Sequence, residues 1–219
     1  MKKFIEKMGS ELVKCDLNCE GVISDPRMGI LPRCLFFEDN KGKNGVIVVG
    51  LNPGHSDTDK EQRKYYIKNK CSYESTVKYW EEKNWGYFKK IREFIEIMNF
   101  NGPIIWTELV KCECLEKETF EKIPLQTIRT CIDKFLRKEI KKCPDNYIII
   151  AVGKEAFKFC SLSFPKKFVI GVPHSSGSYS SRLFTELLED VKNNKNKYKK
   201  MISRKKDING YVMALWLKP

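Results

Sequence analysis

Residues 46–54 read Val-Ile-Val-Val-Gly-Leu-Asn-Pro-Gly, and this run constrains the fold more tightly than any other part of the chain. Four consecutive β-branched aliphatics follow a charged stretch ending at Lys43 and stop abruptly at a Gly/Asn/Pro/Gly cluster. A half-exposed strand would alternate apolar and polar residues. An unbroken apolar run suits a central parallel strand, covered on both faces, that ends in a sharp loop. In open α/β sheets ligands bind beyond the carboxyl ends of such strands, so the junction would deliver Asn52 to a site. A buried strand closing in an ordinary Gly/Pro turn accounts for the same residues, so other segments must decide between the two.

Further strands and helices alternate along the sequence. A short amphipathic helix is expected over about residues 3–14, then an irregular stretch from Cys15 to Asn44. Trp85, Phe88, Ile91, Phe94, Ile95 and Met98 recur every three or four residues, as in a helix laid on a sheet by one face. Residues 103–110 read as the next strand, Phe120 to Ile140 as one or two helices, and 147–153 as a third strand ending in Gly153. A helix is expected from Lys154 to Cys160, then a fourth strand at 167–171, the loop Val172-Pro-His-Ser-Ser-Gly-Ser-Tyr179 and a helix carrying Leu183, Leu187, Leu188 and Val191. This order predicts an α/β fold, a three-layer α/β/α sandwich around a mainly parallel four-stranded sheet with right-handed crossovers. Residues 57–82 lack periodicity and read as a loop-rich insertion. Lys192 to Lys206 is a dense basic run, and the end of the chain reads as an added edge strand.

The 219 residues, 42% of them apolar, suit one core, and a single domain over 1–219 is expected. The formal charge of +13 favours a polyanion, because each neutralised phosphate releases counterions; nucleic acid is the leading partner class. A solvated basic surface is the plainer account of the same surplus. The start is too charged for a signal-peptide core, and no stretch approaches the roughly 18 apolar residues of a membrane span, so a cytoplasmic monomer without a membrane partner is expected. Nine cysteines in a reducing compartment point to metal ligands or small core residues rather than disulfides. The chain lacks the G-K-[ST] of a phosphate-binding P-loop and the G-x-G-x-x-G of a dinucleotide fold, which disfavours both functions.

The order Gly50-Leu51-Asn52-Pro53-Gly54, Thr107 to Cys112 (TELVKC), Val152 to Phe157 (VGKEAF) and His174-Ser175-Ser176-Gly177 resembles the uracil-DNA glycosylase superfamily over about residues 10–190. The first motif is similar to that of the mismatch-specific uracil/thymine enzymes. The resemblance implies a glycosylase-like fold and a base-excision repair hydrolase that removes uracil or another deaminated or mispaired base from DNA. It casts Asn52 as the group that orients the hydrolytic water, and His174 and Ser176 as contacts to the base and the flanking phosphate. Gly50, Leu51, Pro53, Gly54 and His55 would line the base pocket, with Glu108 at its edge and Ser175, Gly177, Ser178, Tyr179 and Arg182 toward the DNA. A relative that keeps the fold and binds nucleic acid or senses damage without catalysis is the alternative.

The cysteines resemble a second branch, the iron-sulfur glycosylases, and imply a [4Fe-4S] cluster on Cys15, Cys19, Cys112 and Cys131. The first pair is C-x-x-x-C, one residue wider than that branch's pattern, and Cys34 and Cys114 stand as substitutes. Zinc on the same thiolates is the next alternative. Three further departures bear on substrate choice. Glu108 occupies the place of an Asn that pairs with uracil, and an ionised carboxylate cannot both donate and accept there. Ser175 replaces a Pro, which would loosen its loop, and the usual Leu wedge gives way to Ser178 and Tyr179.

The groups themselves suit this chemistry. A base in duplex DNA must be flipped out before its glycosidic bond is reached. Its departure leaves negative charge on the base and positive charge on the sugar, so donors must face the base and a water must be held at the sugar. An Asn oxygen orients water but is no strong base. His174 can donate, and His55, the other histidine, should border the same pocket.

Overall fold

The computed structural model describes residues 1–54, 60–83, 85–115, 123–176, 178–205 and 211–215. Its strands are β1 (Val22–Ile23), β2 (Phe36–Glu38), β3 (Val46–Gly50), β4 (Ile104–Glu108), β5 (Glu113–Cys114), β6 (Ile148–Val152), β7 (Val169–Val172) and β8 (Val212–Ala214). The α-helices are α1 (Lys2–Leu12), α2 (Lys60–Lys68), α3 (Tyr73–Glu82), α4 (Gly86–Ile97), α5 (Leu125–Cys131), α6 (Arg137–Lys142), α7 (Lys154–Ser163), α8 (Ser178–Asn193) and α9 (Lys195–Lys205). A π-helical turn, Ile132–Leu136, joins α5 to α6.

The architecture is α/β, with helices packed on a central sheet. That sheet is mixed and has six strands in the order β2-β4-β3-β6-β7-β8, which corrects the expected four-stranded, mainly parallel one. Of the two additional strands, β8 is the edge strand expected at the end of the chain, while β2 is three residues long, too short for hydrophobic periodicity to mark it in the sequence. The β3, β6, β7 and β8 strands run parallel, with Val46 opposite Ile148, Ile149 opposite Val169 and Ile170 opposite Met213. All residues of β3, β4, β6 and β7 are buried, including the polar Thr107 and Glu108 that end β4. A separate two-stranded antiparallel sheet pairs Val22 with Cys114 and Ile23 with Glu113.

The chain divides into two compact units. The first comprises residues 1–37, 51–83 and 106–143, the second 38–50, 84–105 and 144–219. In the first, α3 packs on α1 and α2, and Phe36 stacks on Trp80 with ring centroids 4.5 Å apart. The α2 and α3 helices occupy most of the stretch read as a loop-rich insertion. Ser72 starts α3 by accepting from the Ser75 N–H, and Tyr66, Tyr73 and Tyr79 are buried. This corrects the sequence reading: tyrosines embedded among charged residues carry too weak a hydrophobic signal to mark the buried face. In the second unit, α7 covers β3, β6 and β7, and α4 packs on α8, where Phe94 meets Phe184 edge to face. Residues 195–205 of the basic run form α9. Among the described residues, no helix is long and apolar enough to cross a membrane.

Ile150 and Phe184 are fully buried. Truncating either to Ala should cost about 2–5 kcal/mol through lost burial and residual cavity. Thermal melts followed by circular dichroism should show the midpoint falling by roughly 2–4 °C per kcal/mol.

Candidate functional site

In the first unit the chain leaving β3 is held from several sides. The Val110 N–H donates to the Leu51 carbonyl at 3.0 Å. Asn52 follows, and its Nδ2 donates to the Pro53 carbonyl at 3.1 Å and to the Cys114 sulfur at 3.3 Å. The buried Arg33 donates through Nη2 to the Gly54 carbonyl and through Nη1 to Glu113 Oε1 at 2.5 Å. Arg63 Nη2 stands 3.9 Å from the other Glu113 oxygen, so the fully buried Glu113 faces two guanidiniums. Removing one partner from such a pair leaves a buried charge uncompensated. A Cβ built on Gly54 meets nothing within 4 Å among the described residues. Packing therefore does not demand glycine at 54, and the space beside it is open to close approach.

Glu108 ends β4 and is only 8% exposed, and its Oε2 has no hydrogen-bond partner among the described residues. Burial pushes its carboxyl up to about 8, against the opposing pull of Lys111 and Arg33. An acid titrating there is largely neutral at pH 7, with one O–H to donate and lone pairs to accept. The sequence-based objection to Glu108 presumed an ionised group, and burial removes that premise. Cys34 also lies in this neighbourhood: burial first, then the charge of Glu108, pushes its thiol up to about 12. Beneath it, Lys111 donates from Nζ to Glu139 Oε2 at 3.0 Å and to Thr107 Oγ1, while Thr107 donates to the same Glu139 oxygen at 2.6 Å. Lys111 and Glu139 are each fully buried, which anchors the segment after β4.

In the second unit, Gly153 opens α7 at φ +92°, a conformation that favours glycine, and its N–H donates to the Val172 carbonyl at 2.8 Å. The β7 loop follows. His174 packs against Tyr87 with ring centroids 5.3 Å apart, and its Nδ1 lies 3.3 Å from both the backbone nitrogen and the carbonyl oxygen of Ser176 and 3.0 Å from Ser176 Oγ. The tautomer that accepts at Nδ1 carries its proton on Nε2, and the one that donates from Nδ1 to the carbonyl leaves Nε2 an acceptor. Burial lowers the His174 pKa below the usual imidazole value, opposed by the Ser176 backbone bond. The buried Ser175 donates to the Tyr87 carbonyl at 3.2 Å, which tethers its loop to α4. Tyr179, in the first turn of α8, is 65% exposed, and the Arg182 guanidinium lies 5.5 Å from its ring centre. Lys90, on α4, donates to Ser181 Oγ at 2.5 Å. His55 and Gly177 lie outside the described residues.

The expected metal centre is not there. Cys15, Cys19, Cys112 and Cys131 do line one cavity, but among the described residues no group of three or more His, Cys, Asp or Glu is placed to hold a metal ion. The cavity is about 20 Å³, room for about one water, and apolar side chains such as Leu12, Val22 and Phe135 share its walls. Burial pushes Cys112 well above the usual thiol value and Cys131 up to about 11, and the Lys111 N–H donates to the Cys131 sulfur at 3.3 Å. The substitutes are engaged elsewhere, Cys34 beside Glu108 and Cys114 with Asn52. Neither a [4Fe-4S] cluster nor zinc fits these four residues, and the metal-binding, iron-sulfur reading is withdrawn.

No family model and no curated protein matches the sequence. Two residues that the sequence does not mark as part of this site bond the GLNPG loop: Arg33, and Cys114, which it offers only as a substitute metal ligand. Arg33 and Glu113 are 80 residues apart, and no local pattern announces such a pair.

The Glu108 shift carries a sign for stability. Its folded pKa lies above the unfolded one, so the folded state holds an extra proton between about pH 4.5 and 8, and stability falls as pH rises through that window. Glu108→Gln should flatten this loss, gaining on the order of 4 kcal/mol at most by pH 8 relative to pH 4.5. Urea unfolding of both proteins across that pH range measures it.

Proposed function

We propose that the protein is a monofunctional DNA glycosylase that hydrolyses the N-glycosidic bond of a flipped uracil or another deaminated or mispaired base, leaving an abasic site. The observation that carries this reading is the Asn52 side chain at the carboxyl end of a fully buried strand, its amide nitrogen tied down and a bare glycine two residues on. Asn52 orients the water through its oxygen, and the likeness of residues 174–177 to the superfamily's second motif gives His174 the contact to the departing base. A neutral Glu108 pairs with a ring edge that presents a carbonyl beside an N–H, as in uracil, hypoxanthine or xanthine. The order of the motifs along the chain, and the likeness to the uracil-DNA glycosylase superfamily that it carries, assigns both motifs to one reaction and gives the fold its proposed kinship. The surplus of 41 Lys and Arg over 28 Asp and Glu suits a DNA partner, and the exposed Tyr179 suits a wedge beside the extruded nucleotide.

Oligonucleotides carrying uracil, hypoxanthine, xanthine or a G·T mismatch, treated with the protein and then with alkali, test the reading directly. Cleavage at one or more of these is expected. Binding to all with cleavage of none would overturn the enzyme and leave a damage-binding protein. On the substrate cleaved, Asn52→Ala should lower the single-turnover rate about 10²- to 10³-fold.

Gly54→Ala separates function from folding. Its melting midpoint should stay within about 1 °C, since packing does not require glycine, while the excision rate falls at least about tenfold through the obstructed approach. The pH profile tests Glu108: excision should decline as pH rises through about 8, and in Glu108→Gln, if the variant cleaves, that decline should disappear.

A further inference from the structure

The amide of Asn52 has one oxygen and two N–H donors, and which end faces a water decides whether it can orient that water as an acceptor. Both donors are used. One reaches the Pro53 carbonyl at 3.1 Å and the other the Cys114 sulfur at 3.3 Å. The Pro53 carbonyl only accepts, so turning the amide over would set oxygen against oxygen, and the network fixes its sense. The carbonyl, one residue along the same loop, would follow Asn52 wherever the loop moved. Cys114 is 62 residues away in sequence and supplies an outside reference. It sits on β5, paired with Val22 across the small sheet. Its neighbour Glu113 grips Arg33, which in turn holds the Gly54 carbonyl. One two-residue strand thus fixes the loop backbone through Glu113 and the Asn52 amide through Cys114.

We propose that Cys114 is the positioning residue of Asn52, its sulfur accepting from the amide nitrogen and so presenting the amide oxygen to the hydrolytic water. This rests on the glycosylase reading for the identity of the water, though not for the contact itself. Sulfur suits the place as a large, weak acceptor: it directs the amide over a long bond without competing for the water. A serine at 114 keeps an acceptor but reaches less far, and an alanine keeps none.

Full-length protein labelled with ¹⁵N-asparagine, the Asn52 side-chain signal being assigned by its loss in Asn52→Ala, tests the contact without any substrate. In Cys114→Ala the two side-chain protons should exchange with solvent at least about fivefold faster than in the parent and converge in shift, and in Cys114→Ser exchange should lie between. On whichever DNA the parent cleaves, Cys114→Ala should lower the single-turnover rate about tenfold with the DNA dissociation constant within about twofold, and Cys114→Ser should recover part of the rate. A side-chain signal unchanged in Cys114→Ala overturns the proposal whatever the activity, as does a changed signal with an unchanged rate. A parent protein that cleaves no DNA overturns the glycosylase reading and with it the water, while the exchange measurement still decides whether Cys114 directs the amide. If Cys114→Ala fails to fold, the comparison of parent with Cys114→Ser carries the same test, with identical exchange and rate overturning the proposal.

Discussion

A strand with no solvent-facing side can carry chemistry only at its ends, and that constraint governs this protein. The β3, β4, β6 and β7 strands are buried along their whole length. Each strand stops at a loop or a polar group: in the first unit Asn52 lies just past β3 and Glu108 ends β4, and in the second Gly153 lies just past β6 and His174 two residues past β7. The same burial that drives folding therefore sets where a ligand can be met.

Burial has a second effect, on ionisation. Glu108 is placed where the charged form of a carboxyl is penalised, and neither Lys111 nor Arg33 restores it to the ordinary range. A negatively charged residue in the sequence thereby becomes a neutral donor and acceptor in the fold. Glu113 and Glu139 are as deeply buried, but each is in direct contact with a cation, Arg33 or Lys111. Three glutamates of one composition class thus have different electrostatic roles, set by the partner within reach.

The cysteines follow a similar logic. Their spacing suggested a metal centre because thiolates at intervals along a chain are what a cluster needs. Spacing is silent on the room left between side chains and on whether a thiol ionises. Around Cys15, Cys19, Cys112 and Cys131 the apolar wall closes to a cavity of about 20 Å³, and burial keeps Cys112 and Cys131 protonated. Cys114, counted at first as a spare ligand, is instead the partner of the Asn52 amide.

The sequence by itself determined the long elements and their order. The runs at 46–50, 148–152 and 169–172 are unbroken by polar residues, 104–106 opens the remaining strand in the same way, and α4 and α8 carry their apolar face at helical spacing; hydrophobic periodicity is a local property, legible wherever an element is long enough to repeat it. It also marked Asn52 and His174, because Gly, Pro and Ser after a buried run announce a loop at a strand's end. Only the tertiary structure decided the rest. The short strand β2 exists because a neighbour supplies its hydrogen bonds, and α2 and α3 bury tyrosines that composition alone reads as loop. Arg33 meets Glu113, Asn52 meets Cys114, and Glu108 loses its charge through contacts between residues far apart in sequence or through the exclusion of water. Those are properties of an enclosed volume, and a linear pattern does not encode them.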